Sequence, residues 1–149
     1  MSTIERPFGE VFTPEEVAAA VKQVSPKVVG IVHAETSTGA RQPIEEISKI
    51  VHDSGSLLLV DCVTSLGGLP VEIDGWGVDL AYSATQKCLG VPPGLAPFTA
   101  SARAIERLVE RFPATTIVHP GHGPETTLGD ELARNPFLAP LRSGRAEAG

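Results

Sequence analysis

Lys87 and Asp61 are the residues whose types and surroundings best suit them to do chemistry together. Asp61 directly follows four apolar residues, Leu57-Leu58-Leu59-Val60. A carboxylate at the end of such a run needs a cationic or hydrogen-bonding partner to offset its desolvation. Lys87 lies among small and polar residues and is followed by Gly90 and Pro92-Pro93-Gly94, a turn-rich segment able to hold one amine in place. An amine so held can form an imine with an aldehyde, and a protonated pyridine nitrogen would satisfy Asp61. The pair therefore suggests a site for pyridoxal 5'-phosphate (PLP). Spacing alone leaves plainer readings open: a cap or turn residue for Asp61, a solvated side chain for Lys87.

The elements that must position this pair follow from local patterns. Thr13-Pro14-Glu15-Glu16 combines a capping hydroxyl, a proline suited to the first helical turn and a carboxylate three residues after the cap. Val17, Ala20, Val21 and Val24 then supply an apolar stripe, which predicts a helix over 14–24 closed by Pro26. Val28-Val29-Gly30-Ile31-Val32 reads as a strand buried on both faces of a parallel sheet. Pro43 opens a second helix through Ile44, Ile47, Ile50 and Val51, which Asp53-Ser54-Gly55 closes. Leu57–Val60 is a second buried strand, Leu80–Ser83 a third, and a strand end near Thr99 leads into a helix over 101–111. Alternating units this short imply right-handed crossovers and an α/β fold with a parallel-rich sheet and flanking helices. Ligands of such sheets sit beyond the carboxyl ends of the strands. Three polar groups fall there: Glu35-Thr36-Ser37-Thr38-Gly39, Asp61 with Val63-Thr64-Ser65, and Ser83-Ala84-Thr85-Gln86-Lys87.

Composition excludes several classes of function. With 12 Lys and Arg against 18 Asp and Glu, and no basic cluster, a nucleic-acid partner is not expected. No apolar run approaches the length that spans a bilayer, and residues 1–12 carry no signal-peptide core. A cytoplasmic protein without membrane contact is the expectation. Cys62 and Cys88 form no CxxC pair and read as reduced thiols.

The runs Val60-Asp61-Cys62-Val63-Thr64-Ser65-Leu66-Gly67-Gly68, Asp74-Gly75-Trp76-Gly77-Val78-Asp79 and Tyr82-Ser83-Ala84-Thr85-Gln86-Lys87-Cys88-Leu89-Gly90, with His33-Ala34-Glu35-Thr36-Ser37-Thr38-Gly39 upstream, resemble the serine–pyruvate and alanine–glyoxylate aminotransferases. These are class V members of the fold-type I PLP enzymes, and the resemblance covers about residues 5–103. It implies part of their large domain and transfer of an amino group between a small amino acid (alanine or serine) and a 2-oxo acid (glyoxylate or pyruvate). It implies that Lys87 forms the Schiff base with the cofactor and shuttles a proton, and that Asp61 pairs with the pyridine nitrogen. It further implies that Val63 packs on the ring, Thr36 sits near the ring hydroxyl, Gln86 binds the phosphate, and Ser83 and Thr85 lie on the phosphate side. Trp76 is expected to pack outside the site. The family is homodimeric. Its phosphate-cradling glycine turn, its ring-stacking aromatic residue and its substrate-binding arginine find no counterpart in these 149 residues. Half a site is expected, with weak or absent activity alone and an exposed sheet prone to self-association.

Residues 105–141, with Thr116-Ile117-Val118-His119-Pro120-Gly121-His122-Gly123 and Asn135-Pro136-Phe137-Leu138, resemble instead the C-terminal end of a glyoxalase II-type hydrolase of the metallo-β-lactamase fold. That likeness makes His122 a zinc ligand in the alternative reading, although no HxHxDH motif accompanies it and a metal-free His122 is favoured. The expected organisation is 1–103 partial aminotransferase domain, 104–141 partial hydrolase segment and 142–149 flexible tail. A third reading is a non-catalytic interaction fragment.

Overall fold

The structure, a computed structural model, describes residues 1–119, 123–139 and 141. It comprises two compact units, residues 1–101 and 102–149. The expected tail 142–149 lies outside the described residues.

The first unit begins with α1 (Pro14–Val24), whose start is the reciprocal capping box read from the sequence. Thr13 Oγ1 accepts from the Glu16 N–H at 3.2 Å, and the Glu16 carboxylate accepts from the Thr13 N–H at 2.8 Å. Ser25, left-handed at φ 50, ends the helix one residue before Pro26. Strand β1 (Val28–Val32) follows, then α2 (Ile44–Asp53), β2 (Leu57–Asp61), β3 (Leu80–Tyr82) and β4 (Phe98–Ala100). The strands lie in the order β1-β2-β3-β4. The first three are parallel; β4 is antiparallel to β3.

The sheet's core face is built by helical spacing meeting strand alternation. Val17 and Val21 of α1, and Ile44, Ile47 and Val51 of α2, pack with Leu58, Val60 and Ala81; Val29 and Ile31 lie against them. The other face differs from the expectation of strands buried on both sides. Val28 and Val32 are 47% and 40% exposed and Gly30 is open, because α1, which precedes β1, and α2, which crosses from β1 to β2, pack on the same face.

Beneath the sheet, Asp79 is 2% exposed and fully engaged. It accepts from the Leu58 N–H at 2.9 Å and from Ser101 Oγ at 3.0 Å, and pairs with His52 Nε2 at 3.0 Å. A carboxylate here replaces the strand partner that Leu58 lacks at the start of β3. Gly77, left-handed at φ 68, leaves room for the His52 ring, which would lie 3.1 Å from a Cβ at that position.

The second unit contains α3 (Ala102–Arg111), an antiparallel pair β5 (Ile117–Val118) and β6 (Thr126–Thr127), α4 (Leu128–Arg134) and a 3-10 turn at Pro136–Leu138. Thr127 caps α4 by accepting from the Asp130 N–H.

Replacing Asp79 by Ala strands the buried Leu58 N–H and should cost about 1–3 kcal/mol. Urea unfolding is expected to show a lower midpoint with an unchanged slope.

Candidate functional site

The parallel register aligns Val32, Asp61 and Tyr82 across β1, β2 and β3, so the loops that follow them leave the sheet at one level. The first loop is closed by the Ala34–Arg41 bridge and by Glu35 N–H to Ala40 O at 2.9 Å, with Gly39 left-handed at φ 73. This tight turn presents Thr36. The second loop turns immediately, the N–H groups of Ser65 and Leu66 both reaching Cys62 O, and presents Thr64. The third, residues 83–97, is pinned as a closed loop by Ser83 N–H to Pro97 O and Thr85 N–H to Leu95 O. Lys87 lies on its first turn.

The three loops meet at the Lys87 amine. Lys87 Nζ donates to Thr36 Oγ1 at 2.5 Å and to Thr64 Oγ1 at 3.4 Å, and the two hydroxyls are 2.7 Å apart. The second and third loops can approach because residue 68 is glycine: a Cβ there would lie 2.8 Å from the Cys88 sulfur. The Cys88 thiol donates to Thr64 O at 2.7 Å, which fixes the backbone that carries the Thr64 hydroxyl.

Asp61 ends β2 on the face opposite the helices. Its Oδ1 accepts from the Val63 N–H at 2.8 Å and its Oδ2 from the Tyr82 hydroxyl at 2.7 Å. An ionised carboxylate has about four acceptor positions, so these two bonds leave room for a further N–H donor. The bond to Asp61 pushes the Tyr82 phenol above its ordinary value. Glu35 is held below the usual carboxylate range first by the Ser37 N–H and hydroxyl, with the Lys87 ammonium adding to the effect. Burial pushes the Cys62 thiol up, leaving it an unreactive neighbour of Asp61.

Among the residues singled out from sequence, Lys87 and Thr36 are in direct contact, while Val63 and Asp61 are joined by a hydrogen bond. Gln86 is exposed beside Lys87. Ser83 and Thr85, expected on the phosphate side, tie the third loop together. Both are buried; Ser83 donates to Cys62 O at 3.3 Å and Thr85 to Pro92 O at 2.7 Å, and their N–H groups close the loop. Every donor they own is spent on a backbone carbonyl. Trp76 packs on the core and stands edge-on to His33, ring centroids 5.4 Å apart. Thr64 was named only within the polar group after the second strand, and Tyr82 was given no role beforehand. Tyr82 carried a usable signal: it ends the third strand as Asp61 ends the second. His122 lies outside the described residues, and among those no three His, Cys, Asp or Glu side chains are grouped to hold a metal.

The Aminotransferase class-V family matches residues 8–120, and the chain belongs to that family. It is 41% identical over 108 residues to the (S)-ureidoglycine–glyoxylate transaminase of Bacillus subtilis, covering 72% of this chain and 26% of that protein. The Mus musculus alanine–glyoxylate aminotransferase is 39% identical over 108 residues, with the same coverage. Among solved structures, the alanine–glyoxylate aminotransferase from Nostoc sp. superimposes with a TM-score of 0.68 at 57% identity, over 70% of this chain and 28% of that one. The chain thus spans about a quarter of the length of the curated relatives it matches. These structural neighbours are fold-type I enzymes, and class V aminotransferases depend on PLP. The family match runs to residue 120, and the hydrolase likeness of 105–141 finds no support here.

His33 joins the loops from below. It is 2% exposed, and its Nδ1 shares a 2.9 Å hydrogen bond with Ser65 Oγ. Burial, with the Arg41 charge adding to it, lowers its pKa from the ordinary 6.5. The unfolded chain therefore binds a proton near pH 6.5 that the folded chain takes up only at lower pH. Stability contributed at this position is complete above 6.5 and falls as pH drops through it. Thermal unfolding followed between pH 8 and 5 should show that decline, and His33→Gln should reduce it.

Proposed function

We propose that this chain carries the lysine half of a class V aminotransferase site, and that the inherited reaction moves an amino group between alanine or serine and glyoxylate or pyruvate. The observation that carries the reading is the Lys87 amine held between the hydroxyls of Thr36 and Thr64, at the strand end next to Asp61. The donor set fits the cofactor: a primary amine, a carboxylate with free acceptor positions and an exposed amide. When bound, PLP supplies an electron sink for charge at the substrate α-carbon.

The roles of this chain's residues follow from that set. Lys87 Nζ would engage the cofactor aldehyde and, once released, carry a proton to and from the substrate carbon. Thr36 and Thr64 orient that nitrogen, with Thr36 also near the ring hydroxyl. Asp61 would pair with the ring nitrogen and keep it protonated. Val63 would pack on the ring and Gln86 would bind the phosphate, whereas Ser83 and Thr85 hold the loop. Glyoxylate is favoured as acceptor by the relatives named for it. Catalysis also requires the substrate held in one geometry. None of the residues assigned above grips the substrate carboxylate, so transamination by them alone is expected to be very weak or absent.

Incubation with PLP, which condenses with the amine and releases water, followed by borohydride reduction of the imine should add one phosphopyridoxyl group to the protein, on the peptide containing Lys87. The label should be lost in Lys87→Ala; equal labelling of both proteins, or of neither, refutes the assignment.

Self-association is a second reading, favoured by the uncovered sheet face with Val28, Val32 and Phe98 exposed. Gel filtration should show a concentration-dependent species larger than a monomer that Val32→Lys reduces. An unchanging monomer counts against it.

A further inference from the structure

One row of side chains crosses the carboxyl end of the sheet on its uncovered face: Val32, Asp61, Tyr82 and Phe98 are register partners on β1, β2, β3 and β4. All but Asp61 are substantially exposed, at 40%, 37% and 65%. Within this row Asp61 is the only carboxylate, and Tyr82 is the only neighbour able to donate to it. The two strands are hydrogen-bonded neighbours, so a phenol on β3 reaches the carboxylate of its partner without any loop in between. Asp61 is consequently gripped from two directions. The Val63 N–H fixes Oδ1 from the following turn, and the Tyr82 hydroxyl fixes Oδ2 from the adjacent strand, at 2.7 Å. A single bond from a residue two positions on would leave the carboxylate free to rotate about its own side-chain torsions; the second removes that freedom.

We propose that Tyr82 is a positioning residue for Asp61, whose phenol holds the carboxylate in the one orientation from which its free acceptor positions meet the ring nitrogen of the cofactor. This rests on the aminotransferase reading above. Tyr82 touches no reacting atom in this scheme and acts through Asp61 alone. Phe98, its other register partner, offers no hydrogen bond, and the ionisable groups acting on the phenol are Asp61 and Cys62.

Tyr82 is the only tyrosine in the chain, so ultraviolet absorbance reads its ionisation directly, with no cofactor present. The wild-type phenol should titrate above its ordinary value, and Asp61→Asn should return it toward that value. An unchanged midpoint in Asp61→Asn overturns the proposal whatever the cofactor does. Next, Kd is compared for PLP and for an analogue in which C–H replaces the ring nitrogen. Tyr82→Phe, which removes only a hydroxyl from a part-exposed ring, should weaken PLP by about tenfold while leaving the analogue unchanged. Equal weakening of both ligands means a merely structural role and overturns the proposal. Borohydride labelling of Lys87 in the wild type runs alongside: its absence sinks the aminotransferase reading and the proposal together, while labelling with unselective weakening sinks the proposal alone.

Discussion

The parallel register of β1, β2 and β3 is the constraint on which the site depends. Parallel strands end on the same side of a sheet, so each chain segment leaving them must turn away at one level. Here that level is set by Val32, Asp61 and Tyr82. Thr36, Thr64 and Lys87 lie four, three and five residues beyond it, and their polar atoms converge within hydrogen-bonding distance. The contact between Lys87 and Thr36 spans 51 residues of sequence. No local preference could create it; the sheet does.

What the sequence made legible was whatever is encoded locally. The capping box at Thr13–Glu16, the β-branched run of β1 and the apolar run of β2 each carry their own signal, and the helices and strands stand where those signals put them. The motif around Lys87 identified the family for the same reason. Less legible was anything decided by what covers the sheet. The run Val28–Val32 has the composition of a doubly buried strand, yet its outward residues are exposed. Composition records the burial a strand is suited to, and the packing of α1 and α2 on one face determines the burial it receives. The hydrogen-bond partners of Ser83 and Thr85 were illegible on similar grounds. A hydroxyl turned to a ligand and a hydroxyl that ties its own loop together are the same residue type, and only the accepting carbonyl identifies the second.

On the face opposite α1 and α2, Val28, Val32 and Phe98 stand exposed. The chemistry-bearing residues do not depend on cover there for their mutual geometry. Lys87, Thr36 and Thr64 are held by loops closed through their own backbone hydrogen bonds. Asp61 is held by a neighbouring turn and a neighbouring strand. The cluster is thus self-supporting in arrangement.

That independence also explains why two hydroxyls, and not a carboxylate, surround the lysine. An ammonium close to a carboxylate would be held as a tight ion pair, and its nitrogen would be a poor nucleophile because its lone pair is occupied by a proton. Glu35, whose charge interacts with that of Lys87, is instead satisfied by the Ser37 N–H at 3.0 Å and hydroxyl at 2.8 Å, which draws its oxygens into its own turn. Threonine hydroxyls can accept from the amine in either protonation state, or donate to its free lone pair. The cluster orients the nitrogen. Asp61 is engaged one strand end away by a phenol and an amide. One parallel register thus keeps the acid and the amine of neighbouring strand ends on separate hydrogen-bond partners.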